Sequence, residues 1–263
     1  VNRLDQELVV RGLARSRTEA AKLIEAGRVL VDGLETSKAS KKVSDSTSVV
    51  LTQVEGEHYV SRAGHKLAGA LDVFTTISPE GLRCLDAGAS TGGFTDVLLR
   101  RGAGHVVAAD VGHGQLVDEI RFDPRVSVHE GLNVRYLTPE DIGGDVDLVV
   151  GDLSFISLRL VLEALAGATR PGGSLVLMVK PQFEVGREHL NRTGVVTSPQ
   201  LRQGAVESVV AKAAECGLAL RGLARSPLAG QDGNMEFFLW LSAAAKSQDD
   251  AEKSAMIHAV DYS

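Results

Sequence analysis

The sequence predicts an α/β protein: a mostly parallel sheet covered on both faces and ending in an antiparallel strand, preceded by a small α+β module. Three observations predict it. From residue 61 onward continuous apolar strands alternate with helical stretches; the last two strands are joined by a segment too short for a helical crossover; and the first 56 residues follow a different, two-helices-then-strands rhythm. At 263 residues and 44% hydrophobic content, the chain is long enough for one full α/β core plus a small module.

The first module reads element by element. LDQELVVRG has apolar residues at 4, 8 and 9 and stops at Gly12, and SRTEAAKLIEAG opens with Ser16 as N-cap and Glu19 at the capping-box position before stopping at Gly27. RVLVDG then alternates like a strand and ends in Asp-Gly, a hairpin signal, ahead of DSTSVVLT. From Val1 to Asp45 there are nine Lys and Arg against seven acids, and Arg3, Arg11, Arg15, Arg17, Lys22 and Arg28 gather on the two helices. With Ser16 these are the candidate phosphate contacts, because cations beside a helix N-terminus hold phosphates well. The αα-then-β pattern, with Ser-Arg opening the second helix and G-x-V-x-V-D-G closing it, resembles the S4 RNA-binding domain, a resemblance that makes these residues the candidate RNA contacts. QVEGEHYV has no strong period, which sets the expected boundaries: module 1–56, linker 57–60, larger domain 61–242 and a tail, helical in pattern, at 243–263.

In the larger domain GHKLAGALDVF is an amphipathic helix. Strands follow at LRCLDA, HVVAAD, VSVH, DLVVGD and SLVLMVK, separated by the helical stretches FTDVLLRRG, GQLVDEIRF, LRLVLEALAGA and PQLRQGAVESVVAKAAEC. Leu218 to Ala224 and Met235 to Leu241 are the closing strands. Only SPLAGQDGN and a few flanking residues join them, so the last must run antiparallel. This arrangement resembles the sheet of the Rossmann-like class I methyltransferases.

The glycine turn LDAGASTGGF fits neither of two common nucleotide sites. A dinucleotide fingerprint would place glycine where Ser90 stands, and a phosphate-binding P-loop would need Gly-Lys-Ser/Thr. What remains suits a cofactor with a ribose and an amino-acid tail but no pyrophosphate, namely S-adenosylmethionine. Asp86, Gly88, Ala89, Ser90, Thr91 and Gly92 form its turn; Asp110, ending the next strand, is placed to accept the ribose hydroxyls; Val111, Asn133 and Asp152 complete the candidate contacts.

Only three lysines lie between Val60 and Leu241. Two of them, Lys66 and Lys180, sit inside sharp motifs, and lysine, unlike arginine, can lose its proton near neutral pH when partly buried. Asp152 follows the fourth strand, Lys180 the fifth, and Glu236 opens the final strand, so all three fall at the sheet edge where such folds bind ligands. A base, an orienting lysine and two carboxylates are what methyl transfer to a sugar hydroxyl needs, since the hydroxyl must give up its proton as it attacks. Methylation of an exocyclic base amine would instead favour an Asn/Asp-Pro-Pro-aromatic turn, and Gly-Asp-Leu-Ser-Phe stands there.

Composition narrows the class further. A net charge of −6 argues against a nucleic-acid binder on average, but the acidic excess belongs to the residues beyond the first module. Apolar runs such as LVLMV are of strand length, and the opening residues Asn2, Arg3 and Asp5 are no secretory signal, so the expected location is the cytoplasm, with no stable membrane association. Cys84 and Cys216 have no partners at metal spacing, and no metal is expected.

Taken together, SRAGHKL, LDAGASTGGFTDVLL, AADVGHGQL, DLSFISL, VKPQFEVG and NMEFFLWL behind an S4-like module resemble the TlyA family of S4-containing, FtsJ-like ribosomal RNA 2′-O-methyltransferases, also called haemolysin A. The resemblance implies methylation of cytidine riboses in 16S or 23S ribosomal RNA, ribosomal RNA or ribosomal subunits as partners, and a Lys-Asp-Lys-Glu tetrad falling on Lys66, Asp152, Lys180 and Glu236. Where mycobacterial members have Arg-X-Trp-Val, this chain reads Glu57-His58-Tyr59-Val60. The family's older name keeps a membrane-lysing protein as one alternative, and a cofactor-binding protein without catalysis is another.

Overall fold

In the computed structural model the chain divides into two units, Val1–His58 and Tyr59–Ser263. The structure describes residues 2–14, 16–25, 29–36, 38–44, 47–51, 59–230, 232–243 and 249–263. In the first unit β1 (Asn2–Arg3) leads into α1 (Leu4–Val10) and α2 (Arg17–Glu25), followed by β2 (Val29–Val31), β3 (Leu34–Glu35), β4 (Lys42–Val43) and β5 (Val49–Leu51). β1 pairs with β4, and β3-β2-β5 form an antiparallel sheet. Leu4, Leu8, Ala20 and Ile24 from the helices close over Val29 and Val31 of the sheet. The hairpin expected at Asp-Gly is there: Asp32 and Gly33 both take positive φ, 52° and 80°, as a two-residue type I′ turn requires. Ser16 Oγ accepts from the Glu19 amide at 3.2 Å, the bond an N-cap makes.

The second unit runs α3 (Arg62–Val73), β6 (Arg83–Ala87), α4 (Gly93–Arg100), β7 (His105–Asp110), α5 (Asp118–Arg121), β8 (Val126–Glu130) and β9 (Val146–Gly151). It continues through α6 (Leu162–Gly167), β10 (Thr169–Val179), α7 (Pro181–Glu184), α8 (Pro199–Glu215), β11 (Leu218–Arg225), β12 (Phe237–Ala243) and α9 (Asp250–His258). Among the described residues the sheet order is β11-β12-β10-β9-β6-β7-β8. β6 to β10 are parallel, and β12 runs antiparallel to both β10 and β11. Alternation along the strands divides the core into two layers: Leu85, Val149, Leu177, Phe237 and Leu239 pack towards α6 and α8, whereas Cys84, Leu148, Val176 and Phe238 pack towards α3 and α4. The parallel sheet with its antiparallel closing strand is as the sequence predicts.

Two expected helices are shorter than their patterns. GQLVDEIRF is helical only over Asp118–Arg121, because the amides before it serve carboxylates: Gly112 donates to Asp110 at 2.7 Å and Gly114 to Glu130 at 2.8 Å. LRLVLEALAGA breaks at Val161 into a 3₁₀ turn over Leu158–Leu160 and the short α6. Glu236 precedes β12 rather than lying in it.

Candidate active site

The glycine turn joins β6 to α4. Gly88 has φ 88°, where a side chain would be strained, and an added Cβ would stand 3.2 Å from the Asp152 carbonyl oxygen, so glycine here lets the β6 and β9 exits close on each other. Ser90 is also left-handed, at φ 48°, a conformation that costs a non-glycine residue about 1–3 kcal/mol. It turns the Ser90 amide onto Asp110 Oδ2 at 2.8 Å, while Gly112 donates to Oδ1. Each oxygen of Asp110 therefore keeps acceptor capacity for a hydroxyl. Val111 stands exposed beside it, and Asn133 Oδ1 accepts from the Arg135 amide at 3.0 Å.

Asp86 is fully buried. Its Oδ2 accepts from Thr95 Oγ1 at 2.7 Å and its Oδ1 has no protein partner. Burial, reinforced by the nearby carboxylates of Asp152 and Asp110, pushes its carboxyl up to about 7 against the pull of the Thr95 bond. Thr91 and Gly92 complete the turn, and α4 begins at Gly93.

The four tetrad candidates form two ion pairs. Lys66 Nζ lies 2.6 Å from Glu236 Oε2, with both side chains buried, and Lys180 Nζ lies 2.6 Å from Asp152 Oδ1. Sheet register brings them to one edge: Val179 pairs with Phe237, which sets Lys180 and Glu236 just past the ladder on adjacent strands, and Asp152 follows the last residue of β9, next to β10. Lys66 reaches this edge from α3, through a contact spanning 170 residues. Sequence reasoning missed Ser154, whose Oγ accepts from Lys180 Nζ at 2.6 Å, and Thr95 beneath Asp86. Ser154 stands two residues after Asp152 in DLSF, so its spacing was readable; Thr95 sits on a helix face and carried no signal of its own.

The end of the linker packs against α4. The Val60 amide donates to Asp96 Oδ2 at 2.9 Å, and the Tyr59 ring takes the Arg100 guanidinium at 5.3 Å from its centroid. Glu57 and His58 lie outside the described residues.

In the first unit the candidate RNA contacts separate. Arg3 and Arg17 both pair with Asp5, at 3.0 and 2.9 Å, and remain about half exposed. Arg11 is committed inward, to Glu7 and to the carbonyls of Thr47 and Ser44. Arg15, Arg28 and the side chain of Lys22 lie outside the described residues.

The FtsJ-like methyltransferase family matches residues 59–243, and the S4 domain matches residues 2–49. The chain belongs to the FtsJ-like methyltransferases. This S4-bearing methyltransferase is 54% identical to the 16S/23S rRNA (cytidine-2′-O)-methyltransferase TlyA of Mycobacterium tuberculosis, over 97% of each chain. It is also similar to hemolysin A of Brachyspira hyodysenteriae, at 36% identity over 89% of this chain and 97% of that one. A solved structure from Streptococcus thermophilus, named as a hemolysin, superposes with a TM-score of 0.77 and 40% identity, covering 98% and 94% of the two chains. Among the described residues no helix is long and apolar enough to cross a membrane, and no cluster of His, Cys, Asp and Glu could hold a metal ion.

Proposed function

We propose that this methyltransferase transfers a methyl group from S-adenosylmethionine to the 2′-hydroxyl of a cytidine in ribosomal RNA. The observation that carries this reading is the two Lys–carboxylate contacts, Lys66–Glu236 and Lys180–Asp152, that the buried lysines make at one sheet edge. The name of the 54% identical relative supplies the cytidine and both subunit RNAs as targets. We place the work in the cytoplasm, where ribosomes are, and divide the labour along the expected boundaries: 1–56 holds RNA, 57–60 links, 61–242 performs the chemistry, and 243–263 is a tail.

The cofactor's chemistry fits the donor set. Asp110 offers carboxylate acceptors to vicinal hydroxyls, the turn 88–92 permits close backbone approach, and the unpartnered Oδ1 of Asp86 leaves one further polar atom for the ligand. When bound, S-adenosylmethionine supplies an electrophilic methyl group. Lys180, held between Asp152 and Ser154, first passes the extra proton of its ammonium to the Asp152 carboxylate, and as the neutral amine it takes the proton of the attacking hydroxyl. Lys66, fixed by Glu236, orients that hydroxyl. The ion pairs keep both amines in place without substrate, so little reorganisation is needed at reaction.

The test is transfer of labelled methyl groups to ribosomal RNA, followed by nucleoside digestion. Label in 2′-O-methylcytidine is expected, and label on a base, or none, sinks the reading. Asp110→Ala should weaken S-adenosylmethionine binding by about 1.5–3 kcal/mol by calorimetry, the scale of hydrogen bonds to a charged acceptor.

A further inference from the structure

The two loops that carry Asp152 and Lys180 are fastened together a second time, by a residue outside the tetrad. Glu184 ends α7, four residues after Lys180, and its side chain is 1% exposed. Its carboxylate accepts from Ser157 Oγ at 2.5 Å, from the Leu158 amide at 2.7 Å and from Arg159 Nε at 3.2 Å, and Arg159 Nη2 also donates to its carbonyl oxygen at 3.3 Å. Every one of these donors lies on the loop that leaves β9 with Asp152.

A bland reading makes Glu184 a cap for the 3₁₀ turn over Leu158–Leu160. That turn already has one: Ser157 Oγ accepts from the Arg159 amide. A carboxylate is also an expensive group to bury for that purpose alone, and burial pushes the Glu184 carboxyl up from its ordinary range even with these donors around it.

We propose that Glu184 is a positioning residue, which latches residues 157–159 onto α7 and thereby fixes the approach of Asp152 and Ser154 to Lys180. The inference rests on the tetrad reading above. Lys180 holds the near end of the loop, at Asp152 and Ser154, and Glu184 holds the far end. Only Phe155 and Ile156 bridge the two points. Phe155 stands at φ 63° and is 91% exposed. For a bulky residue that conformation costs about 1–3 kcal/mol and persists where both flanks are fixed. Its ring also leans on Phe183 of α7, with centroids 5.4 Å apart. Releasing the latch lets Phe155 relax to negative φ, and that rotation is passed directly to Ser154 and Asp152.

The test compares Glu184→Ala and the isosteric Glu184→Gln in single-turnover methyl transfer to ribosomal RNA, each in the wild-type and the Lys180→Ala background. Misplacement of this kind is worth about 10–100-fold. Glu184→Ala should lose that much in the wild-type background and Glu184→Gln less, with S-adenosylmethionine affinity by calorimetry changed less than about twofold and faster amide hydrogen exchange at 153–160. In the Lys180→Ala background the same substitutions should change the rate by less than about twofold, because there is no longer an amine to position. An equal loss in both backgrounds would show a general structural role and overturn the proposal. So would an unchanged rate beside faster exchange, or unchanged exchange. If Glu184→Ala does not fold, Glu184→Gln carries the same comparison. Wild-type protein that binds cofactor yet transfers no methyl group to ribosomal RNA would overturn the functional reading and this one with it, whereas a working wild type with an indifferent Glu184 overturns only this one.

Discussion

The two units handle charge in opposite ways. In the S4 unit, Arg3 and Arg17 stay about half exposed and lean on a shared acid, Asp5; at the sheet edge of the second unit, Lys66 and Lys180 are buried and each is tied to its own carboxylate. Exposed pairs contribute about 0–1 kcal/mol and exchange partners readily. A buried pair is costly to break, because the surviving charge is stranded. The first arrangement suits a surface that trades its own acid for a phosphate, and the second suits a site whose geometry must be set before substrate arrives.

The comparison breaks most visibly at Lys180. If its amine is the proton acceptor, Lys180→Ala should slow the chemical step by about two to four orders of magnitude, with cofactor affinity little changed. Lys180→Arg should fail as well, since guanidinium holds its proton at working pH. Near-normal single-turnover rates in either variant would remove Lys180 from the chemistry.

Glu236→Ala tests the buried half of the contrast through stability. Leaving Lys66 unpaired should cost about 3–5 kcal/mol, whereas Lys66→Met with Glu236→Leu, which removes both charges, should cost much less. Urea titrations followed by Trp240, the only tryptophan of the chain, would report this unit alone. Equal losses in the single and double variants would mean that packing, rather than pairing, dominates there.

The same contrast decides what can be read from sequence. Alternating apolar strands and a crossover too short for a helix fix the strand directions, so the sequence by itself puts Asp152, Lys180 and Glu236 at one edge of the sheet, though it does not say which strands are neighbours. Who pairs with whom is not legible there: that Lys66 reaches Glu236 depends on how α3 crosses the sheet, a tertiary matter over 170 residues. The short α5 escapes a sequence reading because the amides of Gly112 and Gly114 go to Asp110 and Glu130, and a helical pattern does not record competition from acids on other strands. Arg11 illustrates the limit in the other direction. Its position among basic residues reads as a phosphate contact, yet its guanidinium is taken up by Glu7 and two carbonyls.

Acid titration separates the units with a smaller effect. Burial raises Asp86 to about 7, while the Arg3 hydrogen bond, with Arg17, brings Asp5 down to about 2. Between about pH 4 and 7 folded Asp86 keeps a proton that the unfolded chain has lost, so its contribution is fully present below pH 4 and is lost as pH rises through 7. Asp5 acts in the opposite sense: its contribution is present above the unfolded value near 4 and is lost as pH falls towards 2. The Asp86 effect is at most about 4 kcal/mol at one pKa unit per 1.4 kcal/mol, and the Asp5 effect is smaller because its partners are half exposed. Without cofactor, Trp240-monitored urea midpoints at pH 5 and pH 8 should differ more in wild type than in Asp86→Asn. Parallel pH dependence in the two proteins would show that Asp86 does not hold the proton.

The smallest effect sharpens the S4 side. Removing one phosphate-binding cation should lower the slope of log affinity against log salt by about 0.7–0.9. Replacing Arg15 and Arg17 together should therefore flatten the salt dependence of ribosomal RNA binding by about twice that amount and leave cofactor binding untouched. Arg11→Ala should do the reverse, lowering the unit's stability by removing the bonds to Glu7, Ser44 and Thr47 while the slope stays put, since a guanidinium held inward has no counterion to release. Arg3→Ala falls between them: Asp5 would keep Arg17 as a partner, so stability should change by no more than about 1 kcal/mol while the slope falls by the share of a single phosphate. A slope that responds to Arg11 as strongly as to Arg17 would mean that RNA draws the inward arginine out, and the division between phosphate-facing and fold-holding arginines would fail.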